Sequence, residues 1–472
     1  MTIWSLSLSS KQEGILKSHL LHTDGCERVA YLLCRTAEVL CDPWDGQTHK
    51  KLLVRKVIPI PDSELIKSTP HRVTWSAESF VRILEEAEQT NQIVAVVHNH
   101  SAECPYFSIQ DDTNESDLLQ TAINRNGEGT LLLSVILTSD EKFIGRVWQN
   151  PSETGNSPLA MIRSFGSRFH FHYPERGEGM NLREFNRQAL AFGETLNQDL
   201  RKLRIGIIGC GGTGSATAML LARLGVGQIA LVDKDIVDIT NLNRLHGARK
   251  TDADAMRSKA EVVARSISDM GLGVRVSPIK SWVHEECCQD ILKSCDILFC
   301  CTDDHFGRSL INRFAYYYMT PVIDIGLAPI DVDDTGIPKI KTLAGRVAVL
   351  IPGTTCLMCR EALNPEIIAD QALKLQNPTE YERRKAEAYV HDEGNPSPAV
   401  ITFTTELACV GVNEMIHRLQ GFRDVDTDNH VRKFNSDEDF YPEKEPLDYC
   451  EACGNEKNWG IGDTDPFLEI VP

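Results

Sequence analysis

The period of hydrophobic and polar positions changes along this chain, and the changes predict where strands and helices lie. Leu52–Ile60 alternates between apolar and polar residues and ends at a proline, as a strand does. Ile93–Val97 is a short β-branched run that predicts another strand. Between them, Ala77–Thr90 has helical spacing, with an apolar face formed by Phe80, Ile83, Leu84 and Ala87. The first part of the chain is therefore predicted to be a mixed α/β domain.

A second pattern begins near Arg204. The apolar run Ile205–Ile208 leads into a glycine-rich turn, a helix-like stretch follows at Ala216–Leu224, and Ile229–Val232 is again strand-like. This order predicts a βαβ unit that can hold a nucleotide. Strands that alternate with helices also predict a parallel or mixed sheet covered on both faces. The later strand-like runs are Val274–Val276, Ile297–Cys300, Pro321–Ile325 and Val347–Ile351.

The length of 472 residues is too great for one ordinary domain. We predict a first domain at residues 1–165, a linker at 166–182, where the composition loosens, and a second domain at 183–472. The linker is expected to hold at most one packed strand or helix.

Charge and cysteine content narrow the class of protein. The formal net charge of −18 argues against a nucleic-acid partner, because no basic surplus exists to meet phosphates. The first residues do not resemble a signal peptide, and the apolar runs are far too short to span a membrane. The 15 cysteines are odd in number and scattered, which favours a reducing, cytoplasmic location. Isolated cysteines such as Cys34, Cys300 and Cys409 are expected to be buried.

Two histidines follow the strand-like run at Ile93–Val97. His98 and His100 are two residues apart, so in an extended segment both side chains point the same way. Ser108 and Asp111 complete the spacing H-x-H-x7-S-x2-D. Two imidazoles and one carboxylate make three zinc ligands and leave a fourth position for water, as a catalytic zinc requires. The alternative is a chance pair of unrelated histidines.

This spacing resembles that of the JAB/MPN family of zinc metalloproteases, which also carry a glutamate on an earlier element. Glu27 is our candidate general base. It begins E-R-V-A-Y-L-L-C, similar to the family's E-x-x-G-x-L-x-G, with Ala30 and Cys34 where glycines are usual. The segment Arg28–Cys34 is either a strand or the end of a helix. The resemblance implies hydrolysis after the C-terminus of a ubiquitin-like protein, with Ser108 stabilising the oxyanion.

The glycine-rich turn alone does not identify its nucleotide. With Asp233 following about 20 residues later, it fits an NAD-dependent dehydrogenase as well as an ATP site. Further on, Arg244 and Lys259 offer positive charge to phosphates and Asp303 offers a hard oxygen ligand to magnesium. This combination favours a triphosphate. The glycines of the turn are Gly209, Gly211, Gly212 and Gly214.

With these residues the chain resembles the ubiquitin-activating superfamily, specifically the bacterial ThiF/MoeB-like adenylyltransferases of molybdopterin and thiamine synthesis. The resemblance implies that Asp233 holds the ATP ribose and that Asp303 binds magnesium. It also implies that Asn241, Arg244 and Lys259 handle the phosphates. The shared motifs are G-x-G-G-x-G-S at Gly209–Ser215, D-x-D at Asp233–Asp235, N-L-x-R at Asn241–Arg244, Lys259, and C-T-D at Cys301–Asp303.

Members of this superfamily also use an arginine from the partner subunit, within R-x-x-N-R-Q. The match at Arg183–Gln188 makes Arg187 the candidate and implies a homodimer. One departure is Asp304, where the family usually has asparagine. Its carboxylate is expected either to lie near the magnesium or to face solvent.

Two C-x-x-C pairs lie near the end of the chain. Cys356 with Cys359 and Cys450 with Cys453 predict a closed, structural zinc site; a redox pair is the alternative for one pair alone. Many activating enzymes carry an acceptor cysteine after the first pair, yet no cysteine lies between Cys359 and Cys409. Either no enzyme thioester forms, or a remote cysteine serves. The remote candidates are Cys104, Cys287 and Cys288.

Together these features predict a bifunctional enzyme of a bacterial ubiquitin-like pathway that uses ATP, Mg²⁺ and two Zn²⁺ ions, one catalytic and one structural. The expected partners are a ubiquitin-like or sulfur-carrier protein and a conjugating enzyme. The charged segment Glu366–Gly394 is predicted to be helical and to serve either as a flexible crossover or as an element that gates the substrate. Two alternatives stay open: sulfur-carrier activation for cofactor biosynthesis, and a non-catalytic scaffold that binds ubiquitin-like proteins.

Overall fold

The computed structural model describes residues 2–152, 155–174, 183–328, 331–333, 339–386 and 399–470. The chain forms two compact units. The first comprises residues 1–40, 47–178 and 459–463, and the second comprises residues 41–46, 179–458 and 464–472. Among the helices described, none combines the length and the apolar character needed to cross a bilayer.

The first unit is a mixed sheet with three helices in its described part. Its strands are β1 (Ile3–Ser9), β2 (Val29–Val39), β3 (His49–Pro59), β4 (Leu65–Thr69), β5 (Arg72–Trp75), β6 (Ile93–His100), β7 (Leu132–Thr138), β8 (Phe143–Trp148), β9 (Asn156–Phe165) and β10 (Phe169–His172). Its helices are α1 (Ser10–Leu20), α2 (Ala77–Thr90) and α3 (Ile109–Asn126).

The main sheet of this unit has the order β1-β3-β2-β6-β7-β8-β9-β10, and β1 also pairs with β9, so the sheet curls back on itself. Alternate residues of β2 enter different cores, because side chains of a strand point to opposite faces. Leu32 packs in the cluster that contains α1, whereas Tyr31 and Leu33 pack against α2 and α3. Val94 and Val96 of β6 also face α2 and α3. His98 continues this alternation and therefore points towards α3.

The second unit is a Rossmann-like α/β fold. Its helices are α4 (Asn186–Lys202), α5 (Gly212–Arg223), α6 (Lys250–Asp254), α7 (Lys259–Ser268), α8 (Gln289–Ser294), α9 (His305–Tyr317), α10 (Pro365–Gln376), α11 (Pro378–Ala386) and α12 (Ile401–Gln420). Its strands are β11 (Arg204–Ile208), β12 (Gln228–Val232), β13 (Arg275–Ile279), β14 (Ile297–Cys300), β15 (Val322–Leu327), β16 (Asp331–Asp333), β17 (Lys339–Thr342), β18 (Ala344–Leu350), β19 (Asn429–Lys433) and β20 (Glu438–Phe440).

The main sheet of this unit has the order β13-β12-β11-β14-β15-β18-β19-β20. The five strands from β13 to β15 are parallel, and β18 joins them antiparallel. The chain moves from β11 to β12 on one side and returns to β14 on the other. Such a switch in direction opens a crevice at the carboxyl ends of β11 and β14, where doubly wound sheets bind ligands.

The mixed α/β prediction and the predicted parallel sheet are confirmed. Arg28–Cys34 lies in strand β2 apart from Arg28, so the helical alternative is wrong. Strand β10 lies within the predicted linker, whose residues 175–182 fall outside the described part. Helices α10 and α11 occupy most of Glu366–Gly394; residues 387–394 are not described. Cys409 is only half-buried, which corrects the expectation of full burial.

Candidate metal and nucleotide sites

Strand β6 brings its two histidines to one face, opposite the first turn of α3. The Nε2 atoms of His98 and His100 lie 3.0 Å apart. Asp111 is close to both: 3.4 Å separates its Oδ1 from Nε2 of His98, and 3.6 Å separates its Oδ2 from Nε2 of His100. Fourteen residues of sequence thus supply three converging donor atoms.

The two histidine–aspartate distances fit a zinc ion, and the 3.0 Å between the two Nε2 atoms is a few tenths of an ångström shorter than tetrahedral geometry gives. Zinc binds nitrogen and carboxylate oxygen at about 2.0–2.2 Å, so tetrahedral ligands lie about 3.3–3.6 Å apart. The second ring nitrogen of His100, Nδ1, lies 3.1 Å from the carbonyl oxygen of Cys104, which orients the ring and leaves Nε2 for a metal. His98 is buried at 7% exposure. The three donors therefore match a catalytic zinc site with one open position.

Ser108 fixes Asp111 through a capping box at the start of α3. Its hydroxyl donates to Oδ2 of Asp111 at 2.7 Å and accepts from the Asp111 backbone N–H at 3.2 Å. The backbone N–H of Ser108 also donates to Oδ2, at 2.6 Å. In this arrangement the Ser108 proton is committed to Asp111. An oxyanion-stabilising role for Ser108 would require its hydroxyl to rotate away.

Electrostatics couple these groups. Burial lowers the pKa of His98, but the hydrogen bond and charge of Asp111 outweigh it, so the pKa is raised overall. Burial raises the pKa of Asp111, yet the contacts with His98 and Ser108 hold it well below the usual range. Asp111 is therefore ionised at neutral pH, as a metal ligand must be.

Glu27 lies just ahead of β2, within electrostatic reach of His98 and Asp111. Burial raises the pKa of Glu27 to about 7, which suits a group that exchanges protons near neutral pH. Asn99 holds the neighbouring backbone: its side-chain oxygen accepts from the Arg28 N–H at 2.6 Å, and its nitrogen donates to the Cys26 carbonyl at 3.3 Å. The sequence did not indicate this role for Asn99.

Arg146 of β8 is a second residue that the sequence did not single out. Its guanidinium bonds to Asp112 at 2.5 Å and to Glu115 at 2.7 Å, both on α3 beside Asp111. It also stacks on Phe107, with 3.8 Å between the guanidinium carbon and the ring centre. Arg146 thus ties together the loop before Ser108 and the helix after it, and so fixes the segment that carries Asp111.

In the second unit, the glycine-rich turn connects β11 to α5. Gly209 has a φ of +88° and faces the backbone of Thr302, only 2.8 Å from where a Cβ would stand. A Cβ on Gly214 would lie 1.8 Å from the Gly209 carbonyl oxygen. Gly211, by contrast, has open space. Helix α5 begins at Gly212 with no side-chain cap. Its first N–H groups can therefore meet a phosphate.

The acid at the end of β12 is held by the turn itself. Asp233 accepts from the Cys210 N–H at 2.6 Å and from the Asp235 N–H at 2.8 Å. Burial raises its pKa, and the charge of Lys259 partly offsets this. Lys259 in turn pairs with Asp235 at 2.7 Å. The predicted ribose and phosphate residues therefore stand side by side.

The remaining predicted nucleotide residues have local partners. Asn241 accepts from the Asp238 N–H at 3.1 Å, and the Arg244 guanidinium donates to the Thr240 carbonyl at 2.7 Å. The Arg244 side chain lies 3.5 Å from the position of a Cβ on Gly212, so it flanks the glycine turn. Asp303 is exposed.

Asp304 is half-buried, so it does not simply face solvent, while its nearness to a magnesium ion stays a prediction. Its carboxylate caps α9 by accepting from the Gly307 N–H, and it also accepts from the Thr302 hydroxyl. A helix-capping signal, an aspartate directly before the helix, was present in the sequence and could have identified this role.

One cavity of about 710 Å³ collects most of the predicted nucleotide residues. Gly214 lies outside its lining because it supports the turn from within. Arg187 also does not line the cavity, and its side chain is exposed. The predicted residues that do line it are Gly209, Gly211, Gly212, Asp233, Asp235, Asn241, Arg244, Lys259 and Asp303.

The same cavity has charged and aromatic lining that the sequence did not indicate. Arg308 and Arg346 line it beside the fully buried Asp324. At the opposite side, the Nζ of Lys234 lies 3.6 Å from the ring centre of Trp282. Each of these pairs joins elements that are distant in sequence, so no local motif marks them.

The two C-x-x-C pairs meet in the second unit. The Sγ atoms of Cys356 and Cys450 lie 3.6 Å apart, as do those of Cys359 and Cys453. All four sulfurs lie within 4.8 Å of one another. Tetrahedral zinc with Zn–S bonds of about 2.3 Å places its sulfurs about 3.8 Å apart. The cluster therefore fits a closed zinc site with no position left for water.

Among the described cysteines, Cys301 is the one that lines the cavity. Burial raises the pKa of its thiol to about 12, so it stays protonated and poorly nucleophilic at neutral pH. Cys104 and Cys287 are exposed and Cys288 is buried, and none of the three lines the cavity.

Comparison with known proteins gives two family matches. The ThiF family model matches residues 185–451, and the model of prokaryotic homologs of the JAB domain matches residues 14–150.

Curated relatives match over shorter stretches. The tRNA threonylcarbamoyladenosine dehydratase of Bacillus subtilis is 40% identical over 106 residues, 22% of this chain and 41% of that protein. The adenylyltransferase and sulfurtransferase UBA4 of Meyerozyma guilliermondii is 31% identical over 146 residues, 30% of this chain and 34% of that protein. These matches span less than half the length of either relative.

Among solved structures, Escherichia coli MccB with MccA-N7isoASN aligns at 19% identity and a TM-score of 0.45. The alignment covers 58% of this chain and 76% of that chain.

Proposed function

The chain belongs to the ThiF family, with a JAB-like domain ahead of the ThiF domain, and on this premise we propose that it activates a protein carboxylate with ATP. The substrate would be a ubiquitin-like protein, whose C-terminal glycine is adenylated. The observation that carries the proposal is the single cavity in which the glycine turn, Asp233, Lys259, Arg244 and Asp303 come together.

The reaction needs positioning more than a protein nucleophile. An oxygen of the substrate carboxylate attacks the α-phosphorus of ATP. The new bond joins that oxygen to phosphorus, the bond from the α-phosphorus to the bridging oxygen breaks, and its electron pair leaves with pyrophosphate. Asp233 would bind the ribose, while the α5 N-terminus, Arg244 and Lys259 would hold the phosphates. Magnesium bound at Asp303 would neutralise charge on the leaving group.

The described part of the cavity lining holds no thiol suited to accept the acyl group, which supports its transfer to another protein. Cys301 is the one described cysteine in the cavity lining, and its thiol is protonated at neutral pH. We therefore propose that the acyl-adenylate passes directly to a sulfur or amine of a partner, such as a conjugating enzyme.

ATP–pyrophosphate exchange tests this function, with a small Gly-Gly-ending ubiquitin-like protein of the same genome as the substrate. Asp303→Asn should lower exchange by roughly 100-fold or more, because a group that stabilises developing charge is removed. Asp304→Asn is the matched control: it is an adjacent carboxylate that caps α9, and asparagine is also a good cap, so exchange should change little. Full exchange in Asp303→Asn would contradict the magnesium assignment.

For the first unit we propose zinc-dependent hydrolysis after the C-terminus of the same ubiquitin-like protein, which matures a precursor or removes the modifier. His98, His100 and Asp111 would hold the ion, which when bound supplies a water of lowered pKa. Glu27 would take the proton from that water and pass it to the leaving amine. Glu27→Gln should abolish cleavage of a fusion ending in Gly-Gly while the zinc content stays the same; continued cleavage would exclude Glu27 as the base.

Arg187 is proposed to act from a partner subunit, since it is exposed and does not line the cavity of its own chain. Chains with Arg187→Ala and chains with Asp303→Ala should each lose exchange. Mixing them should restore part of it, because one mixed dimer site keeps both residues. A mixture no more active than either variant would contradict a role in trans.

Sulfur-carrier activation is the second candidate. The name of the UBA4 relative, which includes a sulfurtransferase, favours it. A persulfide sulfur of a partner would then attack the same adenylate and displace AMP, and a second thiol of that partner would cleave the resulting acyl disulfide, which releases the thiocarboxylate and leaves a disulfide on the partner. Mass spectrometry of the product separates the two: a C-terminal thiocarboxylate indicates sulfur transfer, whereas an isopeptide bond indicates conjugation.

A further inference from the structure

The nucleotide cavity extends past the predicted ATP residues to a second end formed by β15, β18 and α9. This end is lined by Ile325, Gly326, Leu327, Ala344, Arg346 and Arg308. None of these residues belongs to the nucleotide motifs. Those motifs lie on β11, β12 and the end of β14, so the triphosphate has its binding groups on the other side of the cavity.

Three charged residues form one cluster at this second end. Asp324 on β15 is fully buried. Its Oδ1 lies 2.8 Å from Nε of Arg308 on α9, and its Oδ2 accepts from the guanidinium of Arg346 on β18 at 2.9 Å. Two cations therefore share one anion, which leaves one positive charge within the cluster without a counter-charge.

Both arginine side chains line the cavity and stay partly exposed, at 12% for Arg308 and 20% for Arg346. Arg308 uses another nitrogen to donate to the Ile325 carbonyl at 3.1 Å. The Nε of Arg346 is buried and has no hydrogen-bond partner within the part of the chain that the structure describes. That nitrogen is buried from the cavity as well, so a ligand oxygen would meet the exposed part of the Arg346 side chain, which amounts to 20% of its surface.

The backbone at Gly326 makes room for this arrangement. A Cβ there would lie 3.2 Å from a guanidinium nitrogen of Arg308. Gly326 is also the register partner of Arg346 across the β15–β18 pair. The neighbouring lining is apolar, at Ile325, Leu327 and Ala344. Weak solvation of this kind strengthens an ionic contact.

We propose that Arg308, Asp324 and Arg346 form the subsite that receives the terminal carboxylate of the protein substrate before it attacks ATP. This inference rests on the proposed function and names the residues that bind its second reactant. The attacking carboxylate is negatively charged and must approach a triphosphate that is also negatively charged. A nearby cation is therefore required to hold the carboxylate. When the carboxylate oxygen bonds to the α-phosphorus and pyrophosphate leaves, the terminus loses its charge and with it the ionic contact to the subsite.

The test uses one probe in two forms: a Gly-Gly-ending ubiquitin-like protein with a free C-terminal carboxylate, and the same protein with a C-terminal amide. Each is titrated into the full chain saturated with a non-hydrolysable ATP analogue. The wild type should bind the carboxylate form roughly 10- to 100-fold more tightly than the amide, as expected for hydrogen bonds to a charged group. Affinity for the ATP analogue alone is measured separately.

Arg346→Met removes the charge at similar length and should bring the ratio of the two affinities close to 1. Arg346→Lys keeps a charge but not the planar fork, so its ratio should be intermediate. Arg432→Met is the matched control, because Arg432 lies on the adjacent strand β19 and pairs with Glu406 instead of lining the cavity. In all three variants the ATP analogue should bind as in the wild type, which also shows that the unit is folded.

The outcomes separate the two proposals. An unchanged carboxylate-to-amide ratio in Arg346→Met, with exchange still present in the wild type, would overturn the subsite alone. A parallel loss of affinity for the ATP analogue would assign the cluster to a phosphate, and would equally overturn it. Failure of both probe forms to bind the wild type would contradict the proposed function and the subsite together.

Discussion

The two candidate metal clusters use different numbers of donors, and the difference separates a site for chemistry from a site for stability. His98, His100 and Asp111 offer three donors and leave one side open. The four-cysteine cluster offers four sulfurs, two of them from a late segment of the chain. Three donors leave a position where water can bind, whereas four thiolates close the coordination sphere and can only join segments.

The residues around the two clusters also differ in a way that separates chemistry from stability. Around the three-donor cluster, Ser108 bonds to the ligand Asp111, Asn99 holds the backbone on either side of Glu27, and Arg146 holds the helix that carries Asp111. The four-cysteine cluster consists of two short turns that meet. We therefore expect the first cluster to tolerate metal loss and the second to depend on it for folding.

The largest expected effect is the loss of a cysteine ligand. Cys450→Ser should remove one zinc per chain and lower the free energy of unfolding by more than about 4 kcal/mol, because metal loss is among the few changes of that size. Metal analysis and thermal denaturation measure the two quantities. Cys409→Ser, at a half-buried cysteine outside the cluster, should keep both close to wild type. Equal destabilisation by the two variants would remove the distinction between the clusters.

Loss of a histidine ligand should have a different signature. The His98→Ala variant is expected to lose one zinc and all cleavage of a Gly-Gly fusion. It should keep the cysteine-bound zinc and the ATP–pyrophosphate exchange activity. Zinc content, cleavage and exchange are measured on the same preparation. His170→Ala, a half-exposed histidine of the same unit, serves as the control. Unfolding of the chain in His98→Ala would show that this cluster, too, is structural.

A smaller effect is expected at Arg146. Arg146→Met should weaken metal binding at the three-donor cluster by roughly 10- to 100-fold, as loss of a group that orients ligands does. Cobalt titration measures this affinity, and the visible spectrum reports the ligand geometry. Arg125→Met is the control: Arg125 lies at the far end of α3 from Asp111 and pairs with Glu88, so the spectrum should stay unchanged. Identical spectra and affinities for Arg146→Met and wild type would contradict the positioning role.

The smallest effect is expected at Asn99. Asn99→Ala removes the two hydrogen bonds that hold the backbone on either side of Glu27, so cleavage should slow by roughly tenfold through misplacement of the base. Zinc affinity should stay unchanged, since no ligand is touched. Steady-state cleavage with the zinc-loaded chain measures the rate. A fall in zinc affinity instead of the rate would mean that Asn99 supports the metal.

The three-donor cluster could be predicted from sequence because it is local. His98, His100, Ser108 and Asp111 lie within 14 residues, and strand and helix periodicity fix their directions. The oxyanion role of Ser108 stays a prediction, and its hydroxyl is already used by the capping box. The capping of α9 by Asp304 could also have been predicted locally, because an aspartate directly before a helix is a common cap.

The other contacts depend on pairing that the sequence does not encode locally. Asp324 meets Arg346 because β18 turns antiparallel to β15, and meets Arg308 because α9 packs beside them. Arg146 reaches α3 from β8, more than 30 residues away in sequence. Motifs identified the nucleotide residues one by one, whereas the charge at the other end of the cavity became visible only with the strand order.

The central claim is carboxylate adenylation, and the fate of the ATP phosphates tests it most directly. The chain is incubated with the Gly-Gly-ending protein and ATP labelled at either the α- or the γ-phosphate. The account predicts that α-label becomes attached to the protein's C-terminal glycine and that γ-label leaves as pyrophosphate, with hydroxylamine converting the product to a C-terminal hydroxamate and AMP. Transfer of γ-label to the protein, or release of ADP and phosphate, would contradict it.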